Sequence, residues 1–263
     1  MLNGQWMGRY TGSNDGEAIL ELDETDFDYQ GAVYLYDDNK QLPGTAAAIS
    51  APKAQNSFQL KTPLLALDKL MNPVTWAQIS PQYPGVTFPT VADSSWKVIG
   101  DKMEVTWTTD IGTSGKAELH KSAAHTPSFY TPPKAYTWND FKNFAASLDP
   151  YRFIFRGQED STWRLRTHFH RTGRADLVKF ITEDTPALSK NLSNLTTHKF
   201  NLLDPVENGA FYSLVQHHGY PTPLLDWTHS PFIAAYFAYK NIRRRSYEDS
   251  KFVRVFILIA CNG

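Results

Sequence analysis

The chain holds a single cysteine, Cys261, among its 263 residues. That excludes an internal disulfide framework and a thiolate metal cluster, and it fits a reducing compartment. Long apolar runs are missing too. A membrane helix needs roughly 18 apolar residues, and the late run from Phe252 to Ala260 falls far short of that and contains Arg254. The first six residues, Met1 to Trp6, carry no basic residue ahead of an apolar stretch, so no secretory signal is read and a cytoplasmic protein is expected. The composition, 41% hydrophobic and 20% charged, excludes a disordered chain. No internal repeat is present.

Charge of one sign is also lacking, since the net charge is -1. The balance conceals an asymmetry. Residues 1–125 hold 9 Lys or Arg against 15 Asp or Glu, and residues 126–263 hold 17 against 12. A basic half suits an anionic ligand such as a dinucleotide or nucleic acid. The alternative is that two oppositely charged domains simply attract each other.

What is present in the first half is alternation of period two. Gln5 to Gly12, Gly16 to Asp23, Phe27 to Tyr36, Lys102 to Asp110 and Thr113 to Lys121 read as strands bounded by Gly, Asn and Asp. Ala46 to Ser50, Ser57 to Lys61 and Trp96 to Ile99 supply further candidates, and Leu64 to Leu70 reads as a helical turn or two. Short strands at close spacing predict an all-β barrel or sandwich over residues 1–125. Trp6, Tyr10, Tyr34 and Trp107 then fall in its core or at its mouth, where a ligand cavity is one option.

Three prolines between Thr126 and Pro133 predict an extended linker over 126–136. Beyond it, residues 137–263 read as a mixed α+β domain. Thr137 caps a helix to about Leu148, and Tyr151 to Arg156 is a strand. Helices follow over Ala175 to Leu188 (ended by Pro186), Gly209 to His217 and Ser230 to Lys240. Phe252 to Ile259 closes as a buried strand.

Three segments set polar residues among apolar ones: Phe153 to Gln158 with Trp163 to Arg166, then Gln216 to Gly219, then Pro221 to Pro231 with Ala234 to Ala238. In order and spacing they resemble the FRG domain family, whose Phe-Arg-Gly tripeptide stands here at 155–157. The family usually has a basic residue where this chain has Pro223. A more distant likeness is to ADP-ribosyltransferases of the arginine-serine-glutamate type. They place an Arg at the end of a first core strand, hydroxyl residues on another, and a Glu further on. Glu248 is the only late glutamate here. The likeness implies an ADP-ribosyltransferase-like fold for this half, with NAD as substrate.

The chemistry of these residues admits two readings each. Arg156 clamps a pyrophosphate through its forked donors, or it is buried against Asp226. Gly157 permits a turn or a close backbone approach. Gln158 reads an amide or ribose hydroxyl, or caps a loop. His217 acts as donor or general base, while His217 and His218 diverge too far on a helix to share a metal, so no metal site is expected. Asp226, between Leu225 and Trp227, pairs with Arg156, caps a helix or serves catalysis. Thr222, Thr228 and Ser230 complete the expected ligand set, the last two equally good as N-caps. The leading expectation is an intracellular effector that binds NAD or a related nucleotide and transfers ADP-ribose to a protein or nucleic-acid acceptor, without membrane contact, its β domain recruiting a partner of unknown kind. The alternative is a non-catalytic nucleotide- or peptide-binding module with a structural Arg156–Asp226 pair.

Overall fold

Alternation in the first half produces ten strands, seen in a computed structural model that describes residues 1–69, 71–130, 134–241 and 252–260. They are β1 (Gly4–Gly12), β2 (Gly16–Glu24), β3 (Asp28–Asp37), β4 (Thr45–Pro52), β5 (Ser57–Pro63), β6 (Leu65–Leu67), β7 (Pro73–Val74), β8 (Val91–Ile99), β9 (Lys102–Thr109) and β10 (Ser114–Lys121). All belong to one antiparallel sheet in the order β5-β8-β9-β10-β1-β2-β3-β4-β6-β7. Helix α1 (Trp76–Ile79) lies between β7 and β8. Trp6, Leu20, Val33, Ile49, Phe58, Trp96, Val105 and Leu119, from eight different strands, join one buried cluster. One face of so wide a sheet can meet itself only if the sheet curls, so the β half is barrel-like, as its short, evenly spaced strands predict. Leu64 to Leu70 is not a helical turn. Its described part is the short strand β6, paired with β4 through Thr45 and Ala46, because sheet pairing outweighs weak local helix propensity.

After the barrel come α2 (Trp138–Ala146), β11 (Phe153–Gln158), α3 (His168–Arg171), α4 (Leu177–Lys179), α5 (Thr185–Thr196), α6 (Pro205–His217), α7 (Pro231–Tyr239) and β12 (Arg254–Ile259). The chain divides into two compact units. Met1–Ser122 joins His168–Pro223, and Ala123–Thr167 joins Leu224–Gly263.

In the first unit the outer face of β2 shows why the helical segment belongs with the sheet. Glu21 and Asp23 are buried although they point away from Leu20 and Leu22. Asp23 accepts hydrogen bonds from Ala175 N at 2.5 Å, Asp176 N at 3.1 Å and Arg174 Nε at 3.0 Å. Asp176 caps α4 by accepting from Lys179 N at 2.9 Å. A five-residue π turn, Phe180–Asp184, leads into α5, which continues to Thr196. Pro186 therefore does not end this helix. It sits in the first turn after the π segment, where its missing N–H costs nothing.

In the second unit Thr137 and Asp140 form a reciprocal capping box on α2. Strands β11 and β12 pair antiparallel, with Phe153 opposite Ile259 and Gln158 opposite Arg254. The free edge of β11 is bonded in both directions by Thr228: Phe155 N donates to Thr228 O at 2.7 Å and Thr228 N to Phe155 O at 3.0 Å. Strand β12 is not the buried strand that its apolar run predicts. Ile257, Leu258 and Ile259 are exposed, because β12 pairs on one side only among the described residues. Residues 126–130 lie bonded along this unit. Ser128 N donates to Thr162 O at 2.6 Å, Arg164 Nε to Thr126 O at 3.2 Å and Arg254 Nη2 to Tyr130 O at 3.0 Å. Pro132, Pro133, Glu248 and Cys261 lie outside the described residues. No described helix is long and apolar enough to cross a membrane.

Candidate functional site

The Phe-Arg-Gly strand meets the Leu-Leu-Asp-Trp-Thr loop in the second unit, and the two are joined by main chain. Arg156 Nη1 donates to the carbonyl oxygen of Asp226 at 2.7 Å. The Asp226 side chain is exposed, so the expectation of a buried carboxylate does not hold. Its neighbours Leu225 and Trp227 are half-buried, while Asp226 itself stands exposed on the loop. Arg156 and Asp226 do converge across 70 positions, and the arginine holds the loop through its main chain.

Gly157 has a packing reason. A Cβ built there would stand 1.9 Å from Ala234 O and 2.9 Å from Ala238 N. Helix α7 presses its buried Ala234, Ala235 and Ala238 stripe against this strand, and only a residue without a side chain fits beneath it. The close approach is thus to protein backbone.

The hydroxyls are engaged locally. Thr228 Oγ1 accepts from Ser230 N at 3.1 Å, and Ser230 Oγ caps α7 by accepting from Ile233 N at 3.3 Å. His229 Nδ1 lies 3.1 Å from Phe153 O. Thr222 and His217 belong to the first unit. Thr222 is fully buried, its hydroxyl donating to Gln216 Oε1 and its carbonyl accepting from Phe169 N at 3.1 Å. His217 is exposed at the last turn of α6. There Gly219, with φ of 86°, ends the helix: Gly219 N donates to Gln216 O at 2.9 Å and Tyr220 N to Val215 O at 3.2 Å. The Gln-His-His-Gly segment is thereby a helix terminator.

Gln158 remains. It is 4% exposed, and its Nε2 donates to Arg164 O at 3.3 Å, while its Oε1 is buried without a hydrogen-bond partner. Directly across the ladder stands Arg254, 9% exposed, whose Nε–H is likewise buried without one. Side chains two apart on a strand share a face, as do those directly opposed. Arg156, Gln158 and Arg254 therefore occupy one face of the β11–β12 ribbon, opposite α7. Sequence reading missed Arg254 because it sits in an apolar run with no motif to mark it. No metal-holding group of three His, Cys, Asp or Glu occurs among the described residues.

The first unit holds a second constellation that sequence reading missed. Arg174 joins Asp23 to Asp184, which also accepts from the Tyr220 hydroxyl at 3.2 Å. Burial pushes the carboxyl groups of Glu21 and Asp176 above their ordinary range, each reinforced by nearby carboxylates that include Asp23. The only cue was three acidic residues, Glu21, Asp23 and Glu24, closing a strand.

No curated protein matches the chain. Solved structures similar to it include a de novo fluorescence-activating β barrel at 10% identity, with a TM-score of 0.30 over 46% of this chain and 94% of that one. Another is Rv2717c from M. tuberculosis, at 12% identity and a TM-score of 0.26 over 46% of this chain and 92% of that one. Likenesses this low bear on neither fold nor function. The family model described as FRG domain matches residues 151–246. The segment carrying Arg156, Gly157, Gln158, His217, Asp226 and Thr228 is an FRG domain.

Proposed function

We propose that the FRG domain is a nucleotide-binding module whose ligand is held on the ribbon face carrying Arg156, Gln158 and Arg254. The observation that carries this reading is the facing pair of unsatisfied polar atoms, Gln158 Oε1 and Arg254 Nε–H. Leaving a buried donor or acceptor unpaired costs about 1–3 kcal/mol, so the pair calls for a bridging group. A sugar hydroxyl both donates and accepts, and would satisfy the two atoms at once. Two guanidinium groups on the same face favour a ligand with phosphates.

Binding without turnover is the reading put forward over transfer of ADP-ribose, because Thr228 and Ser230 each already accept a backbone bond, in a turn and in a helix cap, which fixes their hydroxyls locally. The test is thermal melting of the full chain with NAD and with ADP-ribose, alongside an assay for free nicotinamide. Both compounds should raise the melting temperature of the parent and leave Arg254→Gln unmoved, with no nicotinamide released. Absence of any shift at millimolar ligand defeats the proposal. Release of nicotinamide replaces it with the transferase reading.

A further inference from the structure

The interior of the β barrel is not filled. Inward-facing positions on four strands are alanines: Ala18, Ala47, Ala92 and Ala117. In a barrel of about eight strands the interior is just wide enough for side chains to fill it. Four methyl groups where larger side chains would pack leave a cavity of about 380 Å³ within the first unit. That is the lower part of the range for small-molecule sites, roughly 300–1,000 Å³.

The walls are aromatic and neutral. Tyr10 and Trp107 meet edge to face with ring centroids 5.8 Å apart, and Trp76 stacks on Phe88 at 4.5 Å. Both pairs line the cavity, as does Trp96, whose Nε1 donates to Ser94 Oγ at 2.8 Å. Among the described residues Asp37 is the one charged lining residue, and its carboxylate already accepts from Asn14 Nδ2 and Asn39 N, both at 2.7 Å. No Lys, Arg or His among the described residues lines the space.

From these features we infer that the barrel is a binding site for a small, neutral, largely apolar molecule, such as an aromatic ketone or ester. A carboxylate ligand is disfavoured, since no cation among the described residues lines the cavity to offset the loss of water from its charge. The inference is independent of the FRG reading, because every residue it uses lies in Met1–Ser122.

The probe for the test is prodan, a neutral naphthyl ketone whose emission shifts to the blue in apolar surroundings. Added to the full chain, it should saturate with a blue shift and with energy transfer from the barrel tryptophans. Ala47→Leu, which fills the cavity, should abolish binding, with Ala117→Leu as substitute if that variant does not fold. Cis-parinaric acid, apolar but ionised at pH 8, should bind far more weakly than prodan. Absence of saturable binding to the parent, or undiminished binding to a folded cavity-filled variant, overturns the site. Tight binding of parinarate overturns the neutral class.

Discussion

Asp23 and Arg174, 151 positions apart, form a charge-assisted hydrogen bond of 3.0 Å in which the aspartate also accepts from the two amides after the arginine. One buried carboxylate thus fixes a whole turn against the outer face of β2. Asp23→Ala leaves two amides and part of a guanidinium without an acceptor, and should destabilise the first unit by about 3–5 kcal/mol. Arg174→Ala leaves Asp23 its two amides and should cost less, about 1.5–3 kcal/mol. Urea unfolding of both variants and of the double variant checks this. Additive losses would show that the two residues are not coupled.

Glu21 and Asp176 set a pH dependence whose sign follows from burial. Their folded-state values lie above the ordinary carboxyl range, so the folded state holds these protons more tightly than the unfolded chain does. Their contribution is favourable in acid and is lost as pH rises from the ordinary carboxyl value through the raised one. Glu21→Gln removes one such group. Its stability relative to the parent should improve on going from pH 4 to pH 8, as read by denaturant midpoints. A constant or declining difference would contradict the assignment.

Gly157→Ala should disrupt the second unit, because the added methyl meets the backbone of α7 and no flexible side chain can yield. Overpacking costs typically 1–3 kcal/mol, and about the upper end is expected here. Thermal melting followed by circular dichroism measures it. A variant that melts like the parent would show that α7 stands further from β11.

At the end of α6, neighbouring positions should behave oppositely. His217 is exposed, and His217→Ala should change stability by less than about 0.5 kcal/mol. Gly219 occupies the left-handed region at φ of 86°, and Gly219→Ala should cost about 1–2 kcal/mol. Chemical denaturation of the pair tests the helix-terminator role of Gly219. Loss of nicotinamide release on His217→Ala, were any release found, would assign His217 a catalytic role.

By itself the sequence determined most of the local structure. Alternation and turn residues placed the long strands of the barrel, and the caps Thr137 and Ser230 placed two helix starts, whereas α6 begins at Pro205 behind the cap Asp204, four residues before the expected Gly209. These are decided within a few residues by periodicity and hydrogen-bonding chemistry. It also marked the segments of the FRG domain, though not what each polar residue in them does. Gly157 is needed by a helix that follows 77 residues later, and Asp226 is exposed although its neighbours are apolar. The tertiary structure alone decided that Asp23 anchors Arg174, that Gln158 faces Arg254, and that four alanines leave the barrel hollow. Those facts depend on which distant backbones approach each other. Burial and partnership belong to pairs of positions, and no window along a single strand or helix contains both members.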